Sequence, residues 1–113
     1  MPMLKDTPAL HALREGDAET FHRHIHEDGG ADLVNANLSG CDLKSCRLNG
    51  LDLTGAYLAY ADLRGLDLRE CNLEGASIKH AQISGVYFPE TLGPDEIRLS
   101  NEKGTRLRVR KAA

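Results

Sequence analysis

Three histidines lie close together near the start of the chain, at His22, His24 and His26. If this stretch is helical, His22 and His26 are four residues apart, lie on one face and could share a metal ion, whereas His24 points elsewhere. No cysteine or carboxylate pattern completes a tetrahedral set of ligands around them. We therefore interpret them as solvated residues of a helix surface, and a fortuitous nickel or zinc site is the alternative.

The remaining residues that could support catalysis form no recognisable constellation. There is no Ser–His–Asp arrangement, nucleophile elbow, phosphate loop or metal signature. An odd number of cysteines without a signal peptide indicates reduced thiols. Each cysteine also lies at an apolar position of a repeat described below, so we interpret Cys41, Cys46 and Cys71 as buried structural residues. We predict no catalytic residue, metal, cofactor or small-molecule substrate, and hence no enzymatic activity.

The stretch that must position every surface residue is a run of twelve pentads over residues 31–90. Leucine or a close relative occupies every fifth position, and a small or apolar residue stands two positions before each of them. A period of five fits neither a helix nor a flat strand. A chain that turns a corner every five residues keeps these side chains inside. Four corners then close a coil of twenty residues, and coils stack at roughly 4.8 Å. The central positions are Leu33, Leu38, Leu43, Leu48, Leu53, Leu58, Leu63, Leu68, Leu73, Ile78, Ile83 and Phe88.

Each coil has four sides, and the same side recurs every twenty residues. The first side comprises residues 31–35, 51–55 and 71–75, and the second, third and fourth sides follow in steps of five. Every inward column is apolar, from Ala31 to Val86. Glycine recurs two positions after the central residue, where a tight corner favours positive φ. These glycines are at positions 40, 50, 55, 65, 75 and 85.

Segments such as ANLSG, CDLKS, AYADLRG and CNLEG resemble the pentapeptide-repeat proteins, whose pattern is A(D/N)LXX. The resemblance covers residues 31–90 and implies an all-β solenoid, a right-handed quadrilateral β-helix of about three coils. Leu51 and Leu66 depart from the small residue of the pattern, and the last pentad is VYFPE. The family is functionally diverse, and some longer members imitate duplex DNA and bind type II topoisomerases. A solenoid is itself a scaffold, so the fold alone specifies no activity.

The two ends of the solenoid need covers, because they expose unpaired backbone and apolar side chains. We predict an N-terminal helical cap over residues 1–30. Its first helix runs from Pro8 to Glu15 behind a Thr7 cap, and its second from Ala18 to about Glu27 behind Asp17, ending at Gly29 and Gly30. Leu10, Leu13, Phe21 and Ile25 form the apolar face of this cap. A partner-binding role for these helices is the alternative.

Residues 91–113 are predicted to form a C-terminal capping segment and basic tail. Alternating Ile97 and Leu99, then Leu107 and Val109, favour a hairpin around Asn101–Gly104. A helix from Pro94 to Lys103 closed by Gly104 is the second interpretation. A hairpin would leave a free edge, and a second copy of the chain could pair with it. We therefore expect a homodimer joined through residues after Val86.

Function must lie on the outward side chains, since the inward ones fill the coil. Tyrosine and arginine are enriched at the hot spots of protein interfaces. We therefore expect a protein–protein interaction module with an unknown protein partner. The candidate interaction residues are Tyr57, Tyr60, Tyr87, Arg69, Arg106 and Arg108. Stacked aspartates, Asp32 with Asp52 and Asp42 with Asp62, are interpreted as surface residues that accompany the repeat.

Two alternatives involve nucleic acid or its imitation. A DNA mimic needs long acidic rows, but residues 31–90 hold five basic groups among eight acidic ones. A row of C-terminal arginines could bind nucleic acid or an acidic partner, but we favour the interpretation of a solvated strand face followed by a disordered tail. No apolar run reaches the roughly 18 residues of a membrane span, and no signal-peptide core is present. We therefore expect a cytoplasmic protein without a membrane partner.

Overall fold

A computed structural model describes residues 7–28 and 32–110. Within them the order of helices is α1 (Pro8–Arg14), α2 (Ala18–Asp28) and α3 (Pro94–Lys103), with the repeats between α2 and α3. The predicted end of α2 at Gly29 and Gly30, the inward position of Ala31 and the last three residues of the basic tail lie outside the described residues.

Both N-terminal helices begin as the sequence predicts. The Thr7 hydroxyl accepts a hydrogen bond of 3.2 Å from the Leu10 N–H, and Pro8 occupies the first turn of α1. The Asp17 carboxylate accepts a bond of 3.1 Å from the Thr20 N–H at the start of α2. These caps satisfy backbone donors that a helix leaves free at its first turn.

The apolar faces of α1 and α2 close the N-terminal end of the coil. Leu10, Leu13 and Phe21 are completely buried, and Ile25 is partly buried against the core. The Arg14 guanidinium donates a 3.1 Å bond from Nε to the carbonyl of Asn37 in the first coil. The predicted cap is therefore joined to the repeats by apolar contact and by direct hydrogen bonding.

The repeats form stacked coils with the predicted register of twenty residues. Each paired residue forms an isolated parallel bridge to the residue twenty positions later, and no longer strand is formed within the described residues. The short bridges follow from the corners, which interrupt extended backbone every five residues. The pairs are Asn37–Tyr57, Asp42–Asp62, Asp52–Asn72, Tyr57–Ser77, Asp62–Gln82 and Asp67–Tyr87.

The core consists of the central pentad residues, as the sequence predicts. From Leu33 to Ile78, each central side chain is at most 1% exposed. Ile83 and Phe88, the two central residues nearest the end of the last coil, are only partly buried. Among the small inward positions, Cys41, Leu51 and Val86 are also partly exposed. The central column is therefore sealed from Leu33 to Ile78, and the core is more exposed at its C-terminal end and at the side positions of Cys41 and Leu51.

The corner glycines adopt the predicted left-handed backbone, with φ between 68° and 76° from Gly40 to Gly85. Three residues with side chains adopt it as well: Asn35, Tyr60 and His80. They occupy the same pentad position as the glycines, so the left-handed conformation belongs to the corner and not to glycine alone.

The C-terminal hairpin, which the alternation of apolar residues favoured, is wrong. Pro94–Lys103 forms the helix α3, and Gly104 ends it with φ 78° and a 2.8 Å bond from its N–H to the Ser100 carbonyl. Pro94 at the first position, acidic residues in the first turn and a left-handed glycine at the end are all helix signals. They outweigh an apolar alternation of only two residues.

The second half of the predicted hairpin forms no strand, and its backbone pairs with the coil and not with the first half. The Gly75 N–H donates to the Leu107 carbonyl at 2.8 Å, and the Leu107 N–H donates to the Ala76 carbonyl at 2.7 Å. Leu107 is completely buried. The segment 105–110 therefore adds one more layer to the first side of the coil.

Polar residues of α3 complete the cover over the second side. The Asn101 amide nitrogen donates to the carbonyls of Ile78 and Ala81 at 3.1 and 3.0 Å. The buried Ser100 hydroxyl accepts from the Ile78 N–H at 3.2 Å and donates to the Thr105 carbonyl at 2.6 Å. Helix α3 and the segment 105–110 thus use backbone groups that would otherwise form a free solenoid edge.

Candidate interaction surface

The histidine cluster makes a structural contact. The Nε2 atom of His22 accepts a 2.8 Å hydrogen bond from the Arg47 N–H, which attaches α2 to the fourth side of the first coil. That nitrogen is therefore already engaged by a donor. His26 is exposed, and within residues 7–28 and 32–110 no group of three potential ligands is placed to hold a metal ion.

The cysteines differ from one another in exposure. Cys46 and Cys71 are buried, as expected, and the Cys71 Sγ lies 3.0 Å from the Leu48 carbonyl, to which it donates. Cys41 is only partly buried. Burial raises the pKa of all three thiols above the usual cysteine value, which keeps them protonated and weakly nucleophilic.

Two of the candidate residues meet on the second side. The guanidinium carbon of Arg106 lies 4.9 Å from the centre of the Tyr57 ring, and its NH2 group donates to the Tyr57 hydroxyl. Arg106 also donates to the Gly75 carbonyl at 2.9 Å. The C-terminal segment therefore fixes a cation over a tyrosine that is 49 residues away in sequence.

Tyr60 lies on the same side, at its corner. Its ring centroid is 5.4 Å from that of His80, the residue one coil further, with the planes inclined at 45°. Tyr60 is 60% exposed, so this pair is a surface feature and contributes nothing to the core.

A second aromatic–cation pair lies on the fourth side. The Arg69 guanidinium carbon is 5.0 Å from the centre of the Tyr87 ring, and Tyr87 is 58% exposed. Arg108 joins neither pair. It binds Glu96 of α3 at 3.0 Å, and the hydrogen bond from Arg108 lowers the pKa of the Glu96 carboxyl. The six candidate residues thus separate into two surface clusters and one capping ion pair.

A family model for pentapeptide repeats matches eight copies in this chain, over residues 29–58 and 52–88, which is more than half of the sequence. The chain belongs to the pentapeptide-repeat family. Proteins of this family are generally non-enzymatic structural or interaction proteins. No curated protein and no solved structure matches the chain in the corresponding searches.

In this pentapeptide-repeat protein the Asp or Asn of each pentad has a definite structural task. Every one of the seven accepts a hydrogen bond from the N–H two residues later, at 3.0 to 3.2 Å. This is the Asx turn, which stabilises a corner locally. From the sequence, the stacked aspartates were interpreted as surface residues that accompany the repeat, and this role was missed. They are Asp32, Asn37, Asp42, Asp52, Asp62, Asp67 and Asn72.

Three of these aspartates also bind a basic side chain two residues later, within the same pentad. Asp62 accepts two bonds from Arg64, at 2.9 and 2.8 Å, and a further contact of 3.4 Å from Lys44. The hydrogen bonds from Arg64 hold the pKa of the Asp62 carboxyl well below its usual range. Those from Arg69 lower the pKa of Asp67 to about 2. The acidic columns are therefore substantially neutralised by neighbouring cations.

The remaining pentads replace the Asx residue with something else, and this is where candidate tyrosines occur. Tyr57 and Tyr87 both stand at the Asp/Asn position, and each has an arginine over its ring. Tyr60 likewise replaces the corner glycine. A sequence signal for them existed, because all three are departures from an otherwise regular pattern.

No helix among the described residues is long and apolar enough to cross a membrane.

Proposed function

We propose that this chain is a non-enzymatic protein–protein interaction module, and that its contact surface is the second side of the coil. One observation carries the proposal: Tyr57 replaces the Asp or Asn of the pentad, and Arg106 is held over its ring at 4.9 Å. Neither group is needed for the Asx turn. Tyrosine and arginine held in fixed positions lose little side-chain freedom on binding, which favours affinity.

We also infer that the coil is the right-handed, four-sided β-helix that the family resemblance implies. A rigid stack of this kind presents outward side chains at fixed spacing, as binding surfaces on solenoids generally do. A cytoplasmic location fits such a module and belongs to the same proposal.

A capture experiment tests the interaction proposal. The full chain carrying an affinity tag is cross-linked in a native lysate, and captured proteins are compared between the natural chain and Tyr57→Ala/Arg106→Ala. We expect proteins that the natural chain retains and the double variant loses. The matched control is Arg69→Ala/Tyr87→Ala, which removes the equivalent pair from the fourth side. Equal capture by all three chains would contradict the choice of surface.

The DNA-mimic and arginine-row alternatives receive less support. A DNA mimic needs unneutralised acidic rows, but Lys44, Arg64 and Arg69 pair with the aspartates of the third and fourth sides. The arginine row does not act as a unit, because Arg108 binds Glu96 and Arg106 binds Tyr57.

We retain the homodimer as a proposal, on a different basis from the hairpin. In the last coil the N–H groups of Ile83, Gly85 and Phe88 donate no hydrogen bond to any described residue, whereas their equivalents Leu63, Gly65 and Leu68 all do. Ile83, Val86 and Phe88 are also only partly buried. This free edge on the third and fourth sides could pair with its copy in a two-fold dimer.

Sedimentation velocity at micromolar concentration tests the dimer. We expect a dimer for the natural chain and a monomer for Ser84→Glu, which places a like charge at the exposed edge in both copies. Asn49→Glu, an exposed change on the first coil, is the control and should leave the dimer intact. A monomeric natural chain would refute this assembly and leave the interaction proposal untouched.

A further inference from the structure

One corner of the coil has an unusual composition. It is formed by Gly40, Tyr60 and His80, stacked twenty residues apart. The Gly40 N–H donates to the Ala59 carbonyl at 2.8 Å, and the Tyr60 N–H donates to the Lys79 carbonyl at 2.7 Å. These bonds hold the three corner residues one above the other at the normal strand spacing of roughly 4.8 Å.

The backbone at this corner suits Gly40 but is less favourable for the two residues with side chains. Tyr60 has φ 63° and His80 has φ 53°, in the left-handed region that glycine adopts at most other corners. A side chain with a Cβ is destabilised there, and the bulky Tyr60 more than His80, because histidine is one of the residues that adopt this region more often. Neither ring contributes to the core, since both residues are exposed. Residues in sparsely populated regions of φ and ψ cluster at functional sites, so these exposed side chains indicate a candidate binding site.

The stack is open on one side of the Tyr60 ring. His80 covers one side, with the ring centroids 5.4 Å apart. On the other side is Gly40, where an added Cβ would meet no atom within 4 Å. A planar group supplied from outside could therefore stack on Tyr60 in the space above Gly40.

The surroundings of this opening favour a negatively charged ligand. The second side, residues 36–40, 56–60 and 76–80, contains no aspartate or glutamate and carries Lys79. Arg106 lies at its margin, over Tyr57. The nearest acidic column, on the third side, is engaged by Lys44 and Arg64. Anionic groups would find Lys79 and Arg106 here, and the second side itself presents no carboxylate, although Glu102 of α3 follows Asn101, whose carbonyl accepts from the His80 N–H.

We propose that the second side binds an acidic segment of a partner protein, and that an aromatic side chain of this segment stacks on Tyr60 above Gly40. The inference rests on the proposed function and names the chemistry of its partner. A protein segment is favoured over nucleic acid because the chain's net charge of −3 opposes a polyanion at long range, whereas a short segment makes mainly local contacts.

Residue-resolved NMR with defined peptides tests the proposal. The ¹⁵N-labelled full chain is titrated with a peptide that has one tryptophan among aspartates and glutamates. We expect shifts in the amides of Gly40, Tyr60 and His80. Replacing the tryptophan by alanine should weaken binding about tenfold, as loss of one aromatic stack predicts. A lysine-rich version should not bind. Shifts confined to other sides, or tighter binding of a single-stranded oligodeoxythymidylate, would overturn the proposal.

The substitution Tyr60→Gly separates binding from structure. It removes the ring and supplies the residue that the left-handed backbone favours, so the melting temperature should be unchanged or higher while the acidic peptide binds about tenfold more weakly. Tyr87→Ala, at an equally exposed tyrosine on the fourth side, should leave peptide binding unchanged. A clear drop in melting temperature for Tyr60→Gly would indicate a structural role and refute the inference.

Capture from a lysate distinguishes this inference from the function on which it rests. Partners retained equally by the natural chain and Tyr60→Gly would leave the interaction module standing and refute the Tyr60 site. A natural chain that retains no partner would refute the module itself, and the peptide titration would then decide the Tyr60 site independently.

Discussion

The stacking register can be tested through one inward column, formed by Leu43, Leu63 and Ile83. Leu63 is completely buried, with one neighbour of the column in the coil before it and one in the coil after it. Ile83 occupies the same position in the last coil and is only partly buried. The two residues are similar in size, so replacing each by alanine compares the middle of the column with its end.

Leu63→Ala removes three buried carbons where the two adjacent coils prevent collapse. The expected loss of unfolding free energy is about 2–5 kcal/mol, from transfer and cavity formation together. Ile83→Ala should cost about 1–2 kcal/mol, because part of its surface is already in water. For a domain stabilised by about 5–15 kcal/mol, the first change is a substantial fraction of the total. Leu63→Asp places an unpaired charge in the same position and should abolish folding.

Urea unfolding followed by circular dichroism measures both differences, with the m-value as a check that the folded and unfolded states stay comparable. Equal losses for Leu63→Ala and Ile83→Ala would contradict the inward column and its thinning towards the C-terminal end. A soluble Leu63→Asp variant with an unchanged transition would contradict the register altogether.

Three further predictions concern the thiols, the acidic columns and the C-terminal cover. Cys41 should react with a polar thiol reagent before Cys46 and Cys71, which should react only after denaturation, as mass spectrometry of the native chain can establish. Folding lowers the pKa of Asp62 and of Asp67, the latter to about 2. Their contribution to the free energy of unfolding is therefore complete above about 3.9, the pKa of an aspartate in the unfolded chain. It is lost as the pH falls towards about 2. The melting temperature of the natural chain should fall over that pH range, and that of Asp67→Asn should fall less. An equal fall in the natural chain and in Asp67→Asn would contradict the assignment of this loss to protonation of Asp67. Ser100→Ala leaves the buried Ile78 N–H and Thr105 carbonyl without their partner and should cost about 1–3 kcal/mol, whereas Ser84→Ala, at an exposed serine, should change stability by about 0.5 kcal/mol or less.

The sequence predicted the interior well because its repeat is strict. A period of five with an apolar central residue allows one register, and the bridge from Asp42 to Asp62 shows that register directly. The N-terminal helices were equally predictable, since Thr7 and Asp17 are local capping signals that depend on no distant contact. Where residues interact within a few positions of one another, a single sequence contains the information.

The C-terminal segment was predicted incorrectly because its structure depends on a surface that local patterns do not reveal. The alternation at Ile97 and Leu99 is as compatible with a helix as with a strand over so short a span. Leu107 does form backbone hydrogen bonds, but its partners are Gly75 and Ala76 of the coil, about thirty residues earlier in the sequence. The Arg106–Tyr57 pair spans 49 positions. Neither contact has a local sequence signature.

The tyrosines of the candidate site are outward residues that depart from the pentad pattern. In a solenoid each coil contacts only its neighbours, so outward residues are constrained mainly by the corner they form. A corner in this chain is satisfied by Asp or Asn at the second pentad position and by glycine in the left-handed position. Tyr57 and Tyr87 stand where a pentad has the Asp or Asn, and Tyr60 and His80 stand where it has the left-handed glycine. None of these departures places its side chain in the apolar core, so core burial does not account for them. The outward departures from the pentad are therefore the first residues to substitute in a search for the partner.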